Sequence, residues 1–167
     1  LVFLMPFLSL GIIHSTSTDF FRYGKEEFRS AFTSGFIPPI AVLIISTILF
    51  YFFREQLNTA YGFPVMFVWV IPFITFLSFC NEQLMSLIRS NNEPNRYMAV
   101  NVVRTILELG ISAILVVFFA WRWKGRVTGI FIAYTVITLY GLFYFIKNGY
   151  LFGKVKRNTV LHDLSYG

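Results

Sequence analysis

The chain has 167 residues, of which 56% are hydrophobic and only 13% charged, with a mean hydropathy of +0.66. A soluble domain carries roughly a quarter charged residues, and one of about this length still leaves nearly a third of its unfolded-chain surface in water, so the composition excludes an ordinary water-soluble fold. The net charge of +6 calls for no nucleic-acid partner, because excess Lys and Arg in a membrane protein is first a topology signal.

Crossing about 30 Å of hydrocarbon takes roughly 20 apolar residues in a helix. By that measure the sequence predicts an all-α, polytopic transmembrane bundle over residues 1–153, with about four full spans and part of a fifth. Residues 1–13 are too short to cross and read as the second half of a span; both ends, Leu1 within an apolar run and Gly167 with no obvious stop, read as truncations. The polar stretch from His14 to Ser34 holds Asp19, Arg22, Lys25, Glu26, Glu27 and Arg29 and is expected as a loop or interfacial helix. Residues 36–53 form the first complete span, with Pro38 and Pro39 in its opening turn, where a missing N–H costs little. Arg54 to Gly62 reads as a short polar turn, and residues 63–88 as a second span kinked at Pro72. A turn from Arg89 to Arg96 precedes the third span, 97–120, and the turn WRWKGR precedes the fourth, 127–146. Residues 154–167 form a basic linker. The apolar runs are continuous and far longer than a barrel strand needs. The single cysteine, Cys80, lies within one of them, so it reads as a buried, inert thiol with neither disulfide nor metal role.

Alternate loops differ in cationic content. One side holds nine Lys and Arg (Arg22, Lys25, Arg29, Arg89, Arg96, Lys147, Lys154, Lys156, Arg157) and the other four (Arg54, Arg122, Lys124, Arg126). The nine-residue side is expected to be cytoplasmic, with Tyr61, Trp121 and Trp123 in an aromatic belt at the opposite interface.

The residues that should not be in lipid carry the functional information. Tyr97, Asn101, Arg104, Glu108 and Ser112 recur at intervals of three and four and form one polar stripe on the third span. A central Arg costs about 2.5–3.5 kcal/mol even on the lenient insertion scale, and Glu108, one turn from Arg104, is placed to pair with it. In the second span Ser78, Glu82 and Arg89 share a face, flanked by Asn81, Gln83 and Ser86. Two neighbouring antiparallel helices thus offer carboxylate, amide and guanidinium groups at similar depth, which points to a hydrophilic interior between them or to helices locked by paired charges. Gly125-x3-Gly129 opens the fourth span and permits close helix approach. Among nucleotide and metal motifs, Walker A, Rossmann glycines, H-E-x-x-H and Cys/His clusters do not occur in the sequence.

The segments YGKEEFRSAFTSGF, NEQLMSLIRSNNEPNRYMAVNVVRTILELGISAILV and WKGRVTGIFIAYTVITL together resemble the N-terminal half of bacterial polysaccharide flippases. These are the Wzx-type O-antigen and lipid-linked oligosaccharide translocases of the multidrug/oligosaccharidyl-lipid/polysaccharide (MATE-like) exporter superfamily. The tail KRNTVLHDLSYG is similar to the basic linker that leads into their second bundle. The resemblance implies a two-bundle transporter in the bacterial inner (cytoplasmic) membrane. It would move an undecaprenyl-diphosphate-linked oligosaccharide from the inner to the outer leaflet by alternating access. It implies no cofactor, with H⁺ or Na⁺ as a coupling ion, and the lipid bilayer, the polyprenyl-diphosphate-linked oligosaccharide and the polysaccharide polymerase and chain-length machinery as partners. The implied cation-lined cavity falls on Arg104 and, after it, Arg89, with Tyr97, Asn101, Glu108, Asn81 and Glu82 around them; Glu108 departs from a purely cationic lining and fits proton or cation coupling.

Two rival readings stay open beside a purely structural membrane subunit, in which Arg104 and Glu108 would be a mute internal pair. One is a multidrug or lipid II exporter of the same superfamily, which would differ in cavity chemistry. The other is a polytopic membrane enzyme of polysaccharide assembly, which would need a large loop outside the membrane with catalytic acids or histidines.

Overall fold

In a computed structural model of the chain, residues 12–61 and 65–151 are described. Every element there is helical: α1 (Ile12–Arg22), α2 (Lys25–Ser34), α3 (Ile37–Phe52), α4 (Arg54–Tyr61), α5 (Val65–Ser90), α6 (Pro94–Val117) and α7 (Arg122–Lys147). Among the described residues four runs are long and apolar enough to cross a membrane: Glu26–Phe52, Trp69–Ser90, Pro94–Val117 and Arg122–Lys147. The fold is an all-α bundle and the chain a membrane protein with transmembrane helices. The expected half-span at 1–13, apart from Ile12 and Ile13, and the linker at 154–167 lie outside the described residues.

Several boundaries differ from those the sequence alone predicts. The polar stretch from His14 to Ser34 is not a loop but two helices, α1 and α2, which bury one face: Thr16 and Asp19 on α1, Phe28, Ala31 and Phe32 on α2. Their apolar and small residues recur at helical spacing beneath a charged outer face, which is what lets a polar segment pack inward.

Gly35 and Phe36 both keep helical backbone angles (φ −63°, ψ −15° and φ −82°, ψ −16°). The chain therefore passes from α2 into α3 with only a tight joint. That joint sits where Pro38 and Pro39 lack the N–H groups that would bond back to Ser34 and Gly35. Added to α2, the 16-residue α3 reaches membrane-crossing length.

The expected polar turn after Phe53 is the short helix α4. The turn expected at WRWKGR is mostly helix, because α7 starts at Arg122. Likewise α6 starts at Pro94, a residue suited to a first turn. α5 runs through the buried Pro72 without interruption.

α5 is the central helix. Of its membrane-crossing window 67% is buried, against 11% for α6, and it touches α1, α3, α4, α6 and α7. The main core gathers near its C-terminal half: Leu84, Met85, Leu87 and Ile88 pack with Phe28 and Phe32 of α2, Val100 of α6, and Ile137, Tyr144 and Phe145 of α7. Cys80 is buried beside Phe79 in a smaller cluster. α6 lies chiefly along α7, and the rest of its circumference exposes Met98, Val102, Val103, Ile106 and Leu109, as a helix in lipid does.

Candidate functional site

On α6, Tyr97, Asn101, Arg104 and Glu108 are half-buried and Ser112 fully buried, while Met98, Val102, Val103, Ile106 and Leu109 between them are exposed. The polar stripe is therefore the inward-facing side of the helix. Three residues in a row on α5 meet it only in part. Successive helical positions turn by about 100°, and Asn81, Glu82 and Gln83 consequently face three different neighbours.

Glu82 faces α6. Its Oε1 lies 3.9 Å from Nη1 of Arg104, with the Arg side chain 26% and the Glu side chain 44% exposed. Glu82 stands about 12 Å of helix before the end of α5, and Arg104 about 15 Å after the start of α6, near half the hydrocarbon thickness of roughly 30 Å. This overturns the expected pairing within α6. Arg104 reaches across to Glu82, and Glu108, one turn further on, has no ion-pair partner among the described residues. An intrahelical pair would leave both charges on one helix, whereas the short hairpin brings a carboxylate of α5 level with the guanidinium.

Nearer the hairpin, an Arg89 guanidinium nitrogen donates to the Tyr97 hydroxyl at 3.1 Å, and its central carbon lies 5.3 Å from that ring's centroid. The Asn101 amide lies one turn on, beside the same hydroxyl. Glu82, Arg89, Tyr97, Asn101 and Arg104 thus share one side of the α5–α6 hairpin.

Asn81 does not join them. It is 1% exposed, and its Nδ2 donates to the carbonyl of Leu77 (2.7 Å) and, towards α7, to Thr138 Oγ1 (3.3 Å) and the carbonyl of Tyr134 (3.4 Å). Its Oδ1 has no hydrogen-bond partner among the described residues. Gln83, equally buried, accepts a bond from Thr16 Oγ1 at 3.0 Å and so joins α5 to α1. Both amides act between helices.

Sequence reasoning passed over a second polar group at the basic end of the bundle. Asn91 Nδ2 donates to the Tyr144 hydroxyl at 2.9 Å, and the Tyr150 hydroxyl donates to Asn91 Oδ1 at 3.1 Å. Arg96 lies over the Tyr144 ring, 5.3 Å from its centroid, and Arg29 Nε donates to the Leu151 carbonyl at 2.6 Å. The signal was an Asn in a turn and two tyrosines six residues apart around the end of α7, none of which marks a partner by itself. At the opposite end Trp121 and Trp123 stand exposed.

Comparison of the chain with protein-family models, curated proteins and solved structures finds no match.

Proposed function

We propose that this chain forms part of a transporter of the bacterial cytoplasmic membrane. Its substrate would be a polyprenyl-diphosphate-linked oligosaccharide, carried from the inner to the outer leaflet. The observation that carries the reading is Arg104: a guanidinium near the middle of a membrane-crossing helix, turned inward, with a single carboxylate oxygen 3.9 Å away.

The physical case is direct. Moving a charged, hydroxyl-rich headgroup through hydrocarbon needs a lined path, because each unsatisfied polar group there costs several kcal/mol, on the order of 2–7. A guanidinium offers a planar fork of donors that matches phosphate oxygens. Arg89 and Tyr97 sit nearer the hairpin end, where a headgroup arriving from a cytoplasmic leaflet would first meet them, and Asn101 lies between that pair and Arg104. The excess of Lys and Arg at that end supports its cytoplasmic placement. Alternating access would come from this bundle moving against a second one around a site at mid-depth. The polymerase and chain-length machinery would then act on the delivered product.

The test uses the full-length gene in a bacterium lacking its own oligosaccharide flippase, with surface polysaccharide as readout and membrane abundance as control. Rescue by the wild type and loss with Arg104→Ala at equal abundance is the expected result. Rescue by both would remove Arg104 from the transport path. Failure of a well-expressed wild type across several sugar systems would move the reading to an exporter of other substrates or to an enzyme.

A further inference from the structure

The ion pair between α5 and α6 is incomplete. At 3.9 Å the Glu82 carboxylate lies beyond hydrogen-bonding distance of the Arg104 guanidinium, so it balances the charge without satisfying a donor. Among the described residues Arg104 makes no side-chain hydrogen bond. Of the other charged side chains nearby, Arg89 on α5 is engaged with Tyr97, and Glu108, although its spacing on α6 would allow a pair, forms none with Arg104, whose ion pair is with Glu82. Glu82 is also the more exposed of the two partners, free to swing towards the open side while Arg104 stays in place.

A carboxylate held by charge alone is a weak competitor for an anion that can also fill the guanidinium's donors. Phosphate oxygens do both at once, in a bidentate geometry with shorter and stronger hydrogen bonds. Once phosphate is on Arg104, Glu82 faces a like charge and has lost its own partner.

We propose that Glu82 is a resident counter-ion of Arg104, displaced by the phosphate-bearing headgroup when it binds and returning when it leaves. The idea rests on the transporter reading above and adds an intramolecular competitor for its anion. Glu82 neutralises the cation in the empty protein, which keeps a lone charge out of hydrocarbon. It also lowers affinity for every anion, so that only one with bidentate geometry and more than one charge displaces it, and it favours release of that anion on the far side. Discrimination thus comes from a competing contact as much as from an attractive one.

The experiment uses the full-length protein in nanodiscs of phosphatidylcholine, which carries no net charge to compete. Binding of farnesyl diphosphate and, separately, of inorganic pyrophosphate is followed by calorimetry, so that a lipid-borne diphosphate and a free one are told apart. The wild type is expected to bind farnesyl diphosphate, Glu82→Gln and Glu82→Ala to bind it about tenfold more tightly, within the ordinary range of coupling between two ligands, and Arg104→Gln to lose binding. Tightening for pyrophosphate as well would assign the competition to the diphosphate itself; tightening for the lipid form alone would support the proposal with the chain as a co-determinant. Equal or weaker binding by both Glu82 variants, beside a wild type that binds, would overturn the counter-ion role and leave the transporter reading standing. A wild type and Glu82 variants that bind neither diphosphate would overturn both.

Discussion

Gly129 of α7 lies directly against Ser112 of α6: a Cβ built on the glycine would stand 2.8 Å from the serine's Cα and from its backbone nitrogen. At Gly125, one turn earlier, the added carbon would meet the Leu115 backbone at 3.0 Å. Ser112 Oγ also donates to the Arg126 carbonyl at 3.5 Å, a long bond. The two helices touch through their backbones here, as small residues allow in membranes.

Gly129→Ala should therefore force α6 and α7 apart and destabilise the bundle by about 1–3 kcal/mol, the usual cost of overpacking. Gly125→Ala should cost less, and Gly110→Ala, where nothing lies within 4 Å, should be tolerated. Thermal unfolding of the three variants in one detergent checks the order. Equal melting temperatures for Gly129→Ala and Gly110→Ala would mean that the close approach is not formed.

Two residues other than glycine have positive φ where α6 passes into α7: Ala120 in the connection (50°) and Arg122, the first residue of α7 (46°). For an L-residue this conformation costs roughly 1–2 kcal/mol. Ala120→Gly relieves the clash at the expense of some flexibility in the unfolded chain, so a net gain of about 0.5–1 kcal/mol is expected. A raised melting temperature for Ala120→Gly, and a lowered one for Ala120→Val, is the result to look for. A loss of stability with glycine would remove the argument from strain.

Asn91 is the junction of the basic end, bonded to Tyr144 within α7 and to Tyr150 beyond it. Asn91→Ala leaves both hydroxyls without that partner and should cost about 1–2 kcal/mol. The effect should be local: faster amide exchange around Lys147–Leu151, with the middle of α7 unchanged. Tyr150→Phe should reproduce part of it. Uniform acceleration along α7 would show instead that Asn91 supports the whole helix.

The four crossings and the polar face of α6 were legible because each rests on a local signal. Long apolar runs announce spans, and five polar residues at helical spacing stand out on such a background. The partner of Arg104 was not legible. Glu108 is always one turn away in sequence, whereas Glu82 comes level with Arg104 only through the register of the α5–α6 hairpin, set partly by Asn92 at φ 57°.

The start of α7 was misplaced for a related reason. Trp, Lys, Gly and Arg read as a turn, yet Gly125 is required inside the helix by Leu115 on α6. The short helix α4 has too little apolar periodicity to declare itself. In each instance a contact between elements overrides the local preference.

The three consecutive side chains Asn81, Glu82 and Gln83 also restrict how α5 can take part in any motion. Each engages a different helix: α7 through Thr138, α6 through Arg104 and α1 through Thr16. Rolling α5 about its own axis would detach all three together, including two amides buried where no water replaces the lost bonds. Letting go of Glu82 alone detaches one, and only at the hairpin's open side. The central helix is thus keyed against rotation like a shaft held by three pins, one of which is made to slide.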